Sequence, residues 1–189
     1  VIMPEIPDSI LPTSRHFEEM LDVIGSKNIT AEYSRTGTEI KLDSGAVLRI
    51  IAPVHSDYSS LNNFSIACRL VHGNRSFLFT GDIERAAEND IVNSAEYLKS
   101  DVLKVAHHGS TSSSTPAFLE AVMPEYAVIE VGEGNSYGHP KPEVVKRLNS
   151  LGAQILTTME CGNIVFVSDG EQLTIHTDNG ITDRTEEAA

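Results

Sequence analysis

The chain has few cysteines, and neither of them belongs to a recognisable metal-binding or disulfide motif. Cys68 and Cys161 each stand alone inside an apolar, strand-like run, and no Cys-x-x-Cys pair occurs. Disulfide scaffolds and cysteine-based zinc folds need several cysteines at defined spacings. We therefore exclude a disulfide framework and a structural zinc knuckle.

Basic residues and long apolar runs are also scarce. The sequence has 14 Lys and Arg against 27 Asp and Glu, which gives a formal net charge of -13. This charge disfavours sequence-independent binding to nucleic acid, although a locally held nucleic-acid substrate stays open. No apolar run approaches the length of about 20 residues that spans a bilayer. We predict no membrane segment in this chain.

Three common catalytic motifs are missing. The sequence has no Gly-x-Ser-x-Gly elbow, no Gly-x-x-x-x-Gly-Lys-Ser/Thr phosphate loop and no Gly-x-Gly-x-x-Gly after a strand. Their absence disfavours a serine hydrolase, a nucleotide hydrolase and a dinucleotide-dependent enzyme.

The pattern of apolar residues predicts one mixed α/β domain over residues 1–177. Its first half shows short strands and hairpins, and its second half alternates strands with amphipathic helices, which is typical of layered sheets flanked by helices. Residues 178–189 are acidic and lack apolar periodicity, so we expect a disordered tail. We predict helices at residues 15–24, 83–93, 117–122 and 142–151, and strands at residues 30–34, 39–42, 46–52, 64–71, 76–80, 102–106, 126–131, 153–158, 164–167 and 172–176.

Two apolar strands end abruptly at residue types that bind metals. One strand leads through Thr80-Gly81 to Asp82, and the other leads to the adjacent histidines His107 and His108. Strand ends hold such side chains in fixed directions, which suits a metal site. The alternative for Asp82 is an N-cap of the following helix, where aspartate is favoured.

A third candidate ligand, His139, lies in a loop between Gly138 and Pro140. Loops after strands often carry functional residues, but this histidine alone does not distinguish a ligand from a surface residue. Further polar residues near these motifs are candidates for orienting the ligands or contacting a substrate, with ordinary turn or surface roles as the alternative: Asn63, Ser65, Ser110 and Tyr137.

Taken in order, these motifs resemble those of metallo-β-lactamase-fold hydrolases, and more narrowly the branch that includes the soluble domain of the competence protein ComEC. The resemblance covers most of the chain and rests on four segments: Asn62-Asn63-Phe64-Ser65, Phe77-Leu78-Phe79-Thr80-Gly81-Asp82, Asp101-Val102-Leu103-Lys104-Val105-Ala106-His107-His108-Gly109-Ser110 and Asn135-Ser136-Tyr137-Gly138-His139-Pro140.

The resemblance implies an αββα sandwich with two zinc ions, in some members manganese, at one edge. Asp82 matches the family's bridging aspartate, one of His107 and His108 matches a ligand, and His139 matches a late histidine ligand. We favour His108 over His107. The family's His-x-His-x-Asp-His motif does not occur in this sequence, and we expect it upstream of Val1. The expected fold is therefore a partial sandwich that lacks its N-terminal part.

The function that this resemblance implies is metal-dependent hydrolysis of a phosphodiester or phosphate ester in the intact parent. In such enzymes two divalent cations activate a water and stabilise the developing charge. The alternatives are a ComEC-like nuclease for DNA uptake and a truncated, non-catalytic binding or scaffold module. The resemblance also implies a place on the extracytoplasmic side of a bacterial cell, and the sequence does not predict an oligomeric state.

Overall fold

A seven-stranded sheet forms the centre of the protein in the computed structural model, which describes residues 1–94, 96–180 and 182–184. These described residues form twelve strands and five α-helices. The strands are β1 (Ile2–Met3), β2 (Glu32–Tyr33), β3 (Glu39–Lys41), β4 (Val47–Ile50), β5 (Cys68–His72), β6 (Arg75–Phe79), β7 (Val102–Lys104), β8 (Tyr126–Ile129), β9 (Gln154–Thr157), β10 (Ile164–Ser168), β11 (Leu173–Thr177) and β12 (Thr182–Arg184). The helices are α1 (Arg15–Ser26), α2 (Arg85–Asn93), α3 (Pro116–Val122), α4 (Pro142–Ser150) and α5 (Thr158–Cys161).

The central sheet runs in the order β3-β4-β5-β6-β7-β8-β9. Strands β3 to β6 pair antiparallel, and β6 to β9 pair parallel. Helices α2, α3 and α4 connect the parallel strands in turn, as parallel pairing requires a crossover. The carboxyl ends of β6, β7 and β8 therefore lie at one edge of the sheet, where the candidate motifs begin.

Alternate residues of these strands face two different cores. In the register of the central sheet, Leu78, Leu103 and Ala127 are neighbours, and all three are fully buried in the core that also contains residues of α2, α3 and α4. On the opposite face, Val102 and Tyr126 pack with residues of the small sheet β10-β11-β12. Helices, a large sheet and a small sheet thus form successive layers.

These layers confirm the predicted α/β class and the partial metallo-β-lactamase-type sandwich. The small sheet covers the large one only in part, and a cavity of about 440 Å³ remains between them, lined among others by Phe77, Phe79, Lys104 and Phe166. Among the described residues, no helix is long and apolar enough to cross a membrane.

Two sequence predictions need correction. The strand predicted at residues 64–71 begins only at Cys68, because Leu61–Phe64 forms a 3-10 turn. The disorder predicted from residue 178 is wrong for Asp178, which accepts hydrogen bonds from Asn163, and for β12, which pairs with β11. Residues 182–184 have no apolar periodicity in the sequence, so the pattern gave no warning of this strand. Residues 181 and 185–189 lie outside the described part of the chain, and disorder there stays a prediction, as does the domain boundary.

Candidate metal centre

Asp82 lies just beyond the carboxyl end of β6 and is held there by its own backbone. Its amide N–H donates to Ser65 Oγ at 3.1 Å, and Gly81 before it has φ +53°. A Cβ on Gly81 would lie 2.8 Å from Ser65 Cβ, so the close approach of the two segments requires glycine. The Asp82 side chain is 40% exposed and accessible to a ligand.

Asp82 does not cap helix α2, which was the alternative prediction. The N-cap position is Glu84, whose side chain makes no capping bond. Instead, the buried Asn63 Oδ1 accepts hydrogen bonds from the backbone N–H groups of Glu84 at 2.9 Å and Ala87 at 3.4 Å. A residue from another segment thus satisfies the orphan donors of this helix, and the Asp82 carboxylate stays free of that role.

His107 and His108 occupy an unusual turn after β7. Their φ angles are +49° and +54°, in the left-handed region, and Gly109 follows with φ +81°. Such angles cost non-glycine residues energy and persist only where the surroundings enforce them. The enforcing contacts are backbone bonds, from His107 N–H to Gly81 O at 3.1 Å and from Lys141 N–H to Gly109 O at 2.9 Å.

The turn aims the two imidazoles differently. His108 Nδ1 lies 2.7 Å from the backbone oxygen of Glu130, and because a carbonyl oxygen only accepts, Nδ1 carries the proton. The lone pair is therefore on His108 Nε2, which lies 3.6 Å from Asp82 Oδ1. This arrangement, with one ring nitrogen fixed by a backbone carbonyl, is typical of metal-binding histidines.

The separation between these two atoms suits a shared metal ion. Two ligands bonded at about 2.0–2.1 Å in tetrahedral geometry lie roughly 3.3 Å apart. The observed 3.6 Å between His108 Nε2 and Asp82 Oδ1 is close to this value. The pair therefore fits a divalent cation in both donor chemistry and spacing.

His139 joins the same cluster from the loop after β8. The side chain of Asn135 holds it by accepting from His139 N–H at 3.0 Å and donating to His139 O at 2.8 Å. The ring centroid lies 5.9 Å from that of His107 and 5.9 Å from the stacked ring of the exposed Tyr137. Burial, together with nearby Lys141 and the two other histidines, lowers the pKa of His139, which favours the neutral form that binds metals.

A protein metal site usually has at least three converging ligand side chains, and this cluster does not reach that number. Within residues 1–94, 96–180 and 182–184, no group of three His, Cys, Asp or Glu side chains is arranged to hold a metal ion. Asp82 and His108 form a fitting pair, and His139 lies beside His107 without closing onto that pair. The described residues therefore contain a candidate ligand pair but no complete metal-binding group.

Sequence comparison identifies relatives of the chain. It is 30% identical over 149 residues to ComE operon protein 3 of Bacillus subtilis (strain 168), a match that covers 79% of this chain and 19% of that protein. It is 40% identical over 106 residues to competence protein ComA of Neisseria gonorrhoeae, covering 56% of this chain and 15% of that protein. The chain is ComEC-like. It spans about a fifth or less of the length of these relatives.

No protein-family model matches the chain. Among solved structures, a chain from Parabacteroides distasonis described as a "Putative metal-dependent hydrolase" overlays with a TM-score of 0.48 at 9% identity, covering 82% of this chain and 74% of that one.

The structure brings together the predicted ligands of the ComEC-like chain, and their roles stay predictions. Ser65 contacts the Asp82 backbone, Asn63 acts on α2, and Tyr137 stacks on His139. The Ser110 N–H donates to His107 O at 2.9 Å, and its hydroxyl oxygen lies 3.0 Å from that of Ser112.

Two residues of the cluster escaped sequence reasoning. Glu84 lies 3.7 Å from His107 Nδ1 through Oε1, and Ser112 lies 3.2 Å from the same nitrogen through Oγ. Glu84 was assigned to the predicted helix, although it follows Asp82 by two residues. Ser112 lies in a run of serines and threonines that reads as an ordinary polar loop. The sequence signal that could have identified Glu84 is an acidic residue two positions after the candidate ligand Asp82, at the start of a predicted helix.

Proposed function

We propose that this chain forms one side of a divalent-metal hydrolase site that acts on a phosphodiester or phosphate ester. The observation that carries the proposal is the Asp82–His108 pair, with Nδ1 held by Glu130 O and Nε2 left free 3.6 Å from the carboxylate. This set of nitrogen and oxygen donors fits zinc, and it would also bind manganese. The competence-protein relatives are consistent with this role.

Each residue has a distinct part in the proposed chemistry. Asp82 and His108 would hold one divalent ion, and Asp82 would also be a ligand for a second. His139, whose pKa is lowered by burial, would contribute a further ligand together with residues from outside the described part of the chain. Bound divalent ions supply Lewis acidity, which lowers the pKa of water and stabilises negative charge on a phosphate. Ser65, Asn135 and the backbone of Gly81 keep the ligands in place.

A nuclease role in DNA uptake, on the extracytoplasmic side of a bacterial cell, is a second candidate. The competence proteins among the relatives favour it. The net charge of -13 opposes long-range attraction of DNA, so the DNA would have to be held by other parts of a longer protein. Activity on a small model phosphodiester without activity on DNA would favour the broader esterase proposal.

A non-catalytic binding module is the third candidate, and the incomplete shell supports it. The deciding experiment is metal content after equilibration with Zn²⁺ or Mn²⁺ and desalting, measured by elemental analysis. We expect retained metal in the wild type, loss in His108→Ala and Asp82→Ala, and no change in His16→Ala, a histidine exposed on α1. Equal, negligible metal in all four proteins would reject the metal site in this chain and favour the binding module.

A further inference from the structure

Three side chains form a connected series beside the candidate ligands. Asn62 Nδ2 donates to Glu84 Oε1 at 3.2 Å, and the same Glu84 oxygen lies 3.7 Å from His107 Nδ1. Glu84 and His107 are each about one quarter exposed. A carboxylate beside a partly buried imidazole is a strong local influence on where the ring carries its proton.

The backbone at Glu84 is fixed independently of this series. Asn63 Oδ1 accepts from Glu84 N–H at 2.9 Å, and Arg85 N–H donates to Ser112 O at 2.9 Å. The helix start and the loop after His107 are thus tied together through main-chain groups. A change of the Glu84 side chain leaves both of these bonds in place, so its effect on His107 can be separated from folding.

Hydrogen bonds among three serines allow Ser112 to act as the acceptor in its contact with His107. Ser113 Oγ donates to Ile83 O at 2.7 Å, so its proton is already used. The Ser112 hydroxyl lies 3.0 Å from Ser110 Oγ and 3.5 Å from Ser113 Oγ, and it can donate to either. It is then available to accept from His107 Nδ1 at 3.2 Å.

The carboxylate of Glu84 selects between the two tautomers of His107. At 3.7 Å it is too far for a direct hydrogen bond, yet its negative charge repels a lone pair on Nδ1 and attracts an N–H there. The alternative, in which Ser112 donates to an unprotonated Nδ1, would place that lone pair next to the carboxylate. The charge of Glu84 therefore favours the arrangement in which His107 donates to Ser112 and the Ser112 hydroxyl donates to another serine.

We propose that Glu84, held by Asn62, is a positioning residue that fixes the proton of His107 on Nδ1 and keeps Nε2 free as a ligand atom. His108 has the same tautomer through Glu130 O. Both adjacent histidines then present an unprotonated Nε2, so the choice between them as a ligand becomes a question of geometry and not of protonation. Only the metal-binding part of this inference rests on the proposed function.

The test is nitrogen-15 NMR of the histidine rings in the metal-free protein, above neutral pH, with the His107 signals assigned through His107→Ala. We expect wild-type His107 to carry its proton on Nδ1. Glu84→Ala should move most of the population to the Nε2–H tautomer, and Glu84→Gln, which keeps a neutral oxygen acceptor, should move it less. Glu120→Ala, an exposed carboxylate on α3, is the control and should change nothing.

Zn²⁺ titration of the same variants separates the two levels of the inference. Loss of a residue that orients a metal-binding histidine typically lowers metal affinity 10- to 100-fold, which we expect for Glu84→Ala. An Nε2–H tautomer in the wild type, or no tautomer shift in Glu84→Ala, would overturn the positioning role. A tautomer shift without any loss of Zn²⁺ affinity would uphold that role and reject His107 as part of a metal site.

Discussion

Glu88 is a buried carboxylate on α2 whose replacement should test how the loop after His107 is held. It is 0% exposed, and its two oxygens accept different backbone N–H groups, Oε1 from Ser114 at 2.5 Å and Oε2 from Thr115 at 2.8 Å. Arg147 reinforces the same loop by donating to the carbonyl oxygens of Ser113 and Ser114. Ser114 has φ +56°, so this loop needs its hydrogen bonds to stay in place.

The expected cost follows from the two donors. Glu88→Ala leaves both buried N–H groups without an acceptor, at about 1–3 kcal/mol each, so we expect a loss of roughly 2–6 kcal/mol in the free energy of unfolding. Glu88→Gln keeps one oxygen acceptor but turns an amide NH₂ toward the other N–H, because a glutamine nitrogen cannot accept. We expect it to cost roughly 1–3 kcal/mol.

Urea denaturation followed by circular dichroism measures both effects. The matched control is Glu120→Gln on α3, an exposed glutamate, which should stay within about 0.5 kcal/mol of the wild type. If Glu88→Gln were as stable as Glu120→Gln, the two hydrogen bonds would not hold this loop, and the account of the Ser112 and His107 positions would lose its support.

Three more predictions concern two close backbone approaches and the charge of Glu88. Gly109→Ala adds a Cβ 2.8 Å from Pro140 Cβ at a residue with φ +81°. We expect it to lower the free energy of unfolding by about 1–3 kcal/mol and to lower metal retention. The control is Gly134→Ala, at a left-handed residue with open space around it, which should keep the metal content of the wild type. Gly73→Ala places a Cβ 2.4 Å from the backbone oxygen of Gly170, where the hairpins of the two sheets touch. It should therefore lower the urea midpoint of unfolding more than Gly134→Ala does. Equal midpoints would show that this contact does not constrain the fold. Burial raises the pKa of Glu88, so the stability that this group contributes is fully present below the unfolded pKa of about 4.3 and declines as pH rises through the folded value. The free energy of unfolding of the wild type minus that of Glu88→Gln, which does not titrate, should therefore fall from acidic toward neutral pH, and a rise would contradict this sign.

Much of the fold could be predicted because periodicity and local chemistry agree along the second half of the chain. Strands β6, β7 and β8 are apolar runs that alternate with amphipathic helices, and each stops at a glycine or polar residue. The 3-10 turn at Leu61–Phe64 could not be predicted in this way, because Phe64 extends the apolar pattern of the following strand. Asn63 in this turn bonds to backbone amides at the start of α2, 21 and 24 residues further along the chain, and the strand begins only at Cys68.

The candidate ligands could be predicted one by one, but their arrangement could not. Residue types at strand ends pointed to Asp82, His108 and His139. The left-handed turn at the two histidines, the carbonyl of Glu130 that fixes His108 and the carboxylate of Glu84 beside His107 all arise from contacts between distant segments. No local pattern encodes such contacts, so sequence reasoning proposed the candidate ligands and Ser65 beside Asp82, and missed the groups around the two histidines.

Because His107 and His108 are consecutive left-handed residues, we expect the His-His-Gly-Ser motif to keep its conformation only within this fold. Two L-residues in this conformation cost about 1–2 kcal/mol each, and the bonds that outweigh this cost come from Gly81 and from Lys141, which belong to other loops. A short synthetic peptide of this sequence, or the same four residues grafted onto another scaffold, would relax to the right-handed side and turn both imidazoles away. The backbone of His107 and His108 has the left-handed φ angles that D-residues prefer, and the hydrogen bonds to Gly81 and Lys141 in neighbouring loops maintain them.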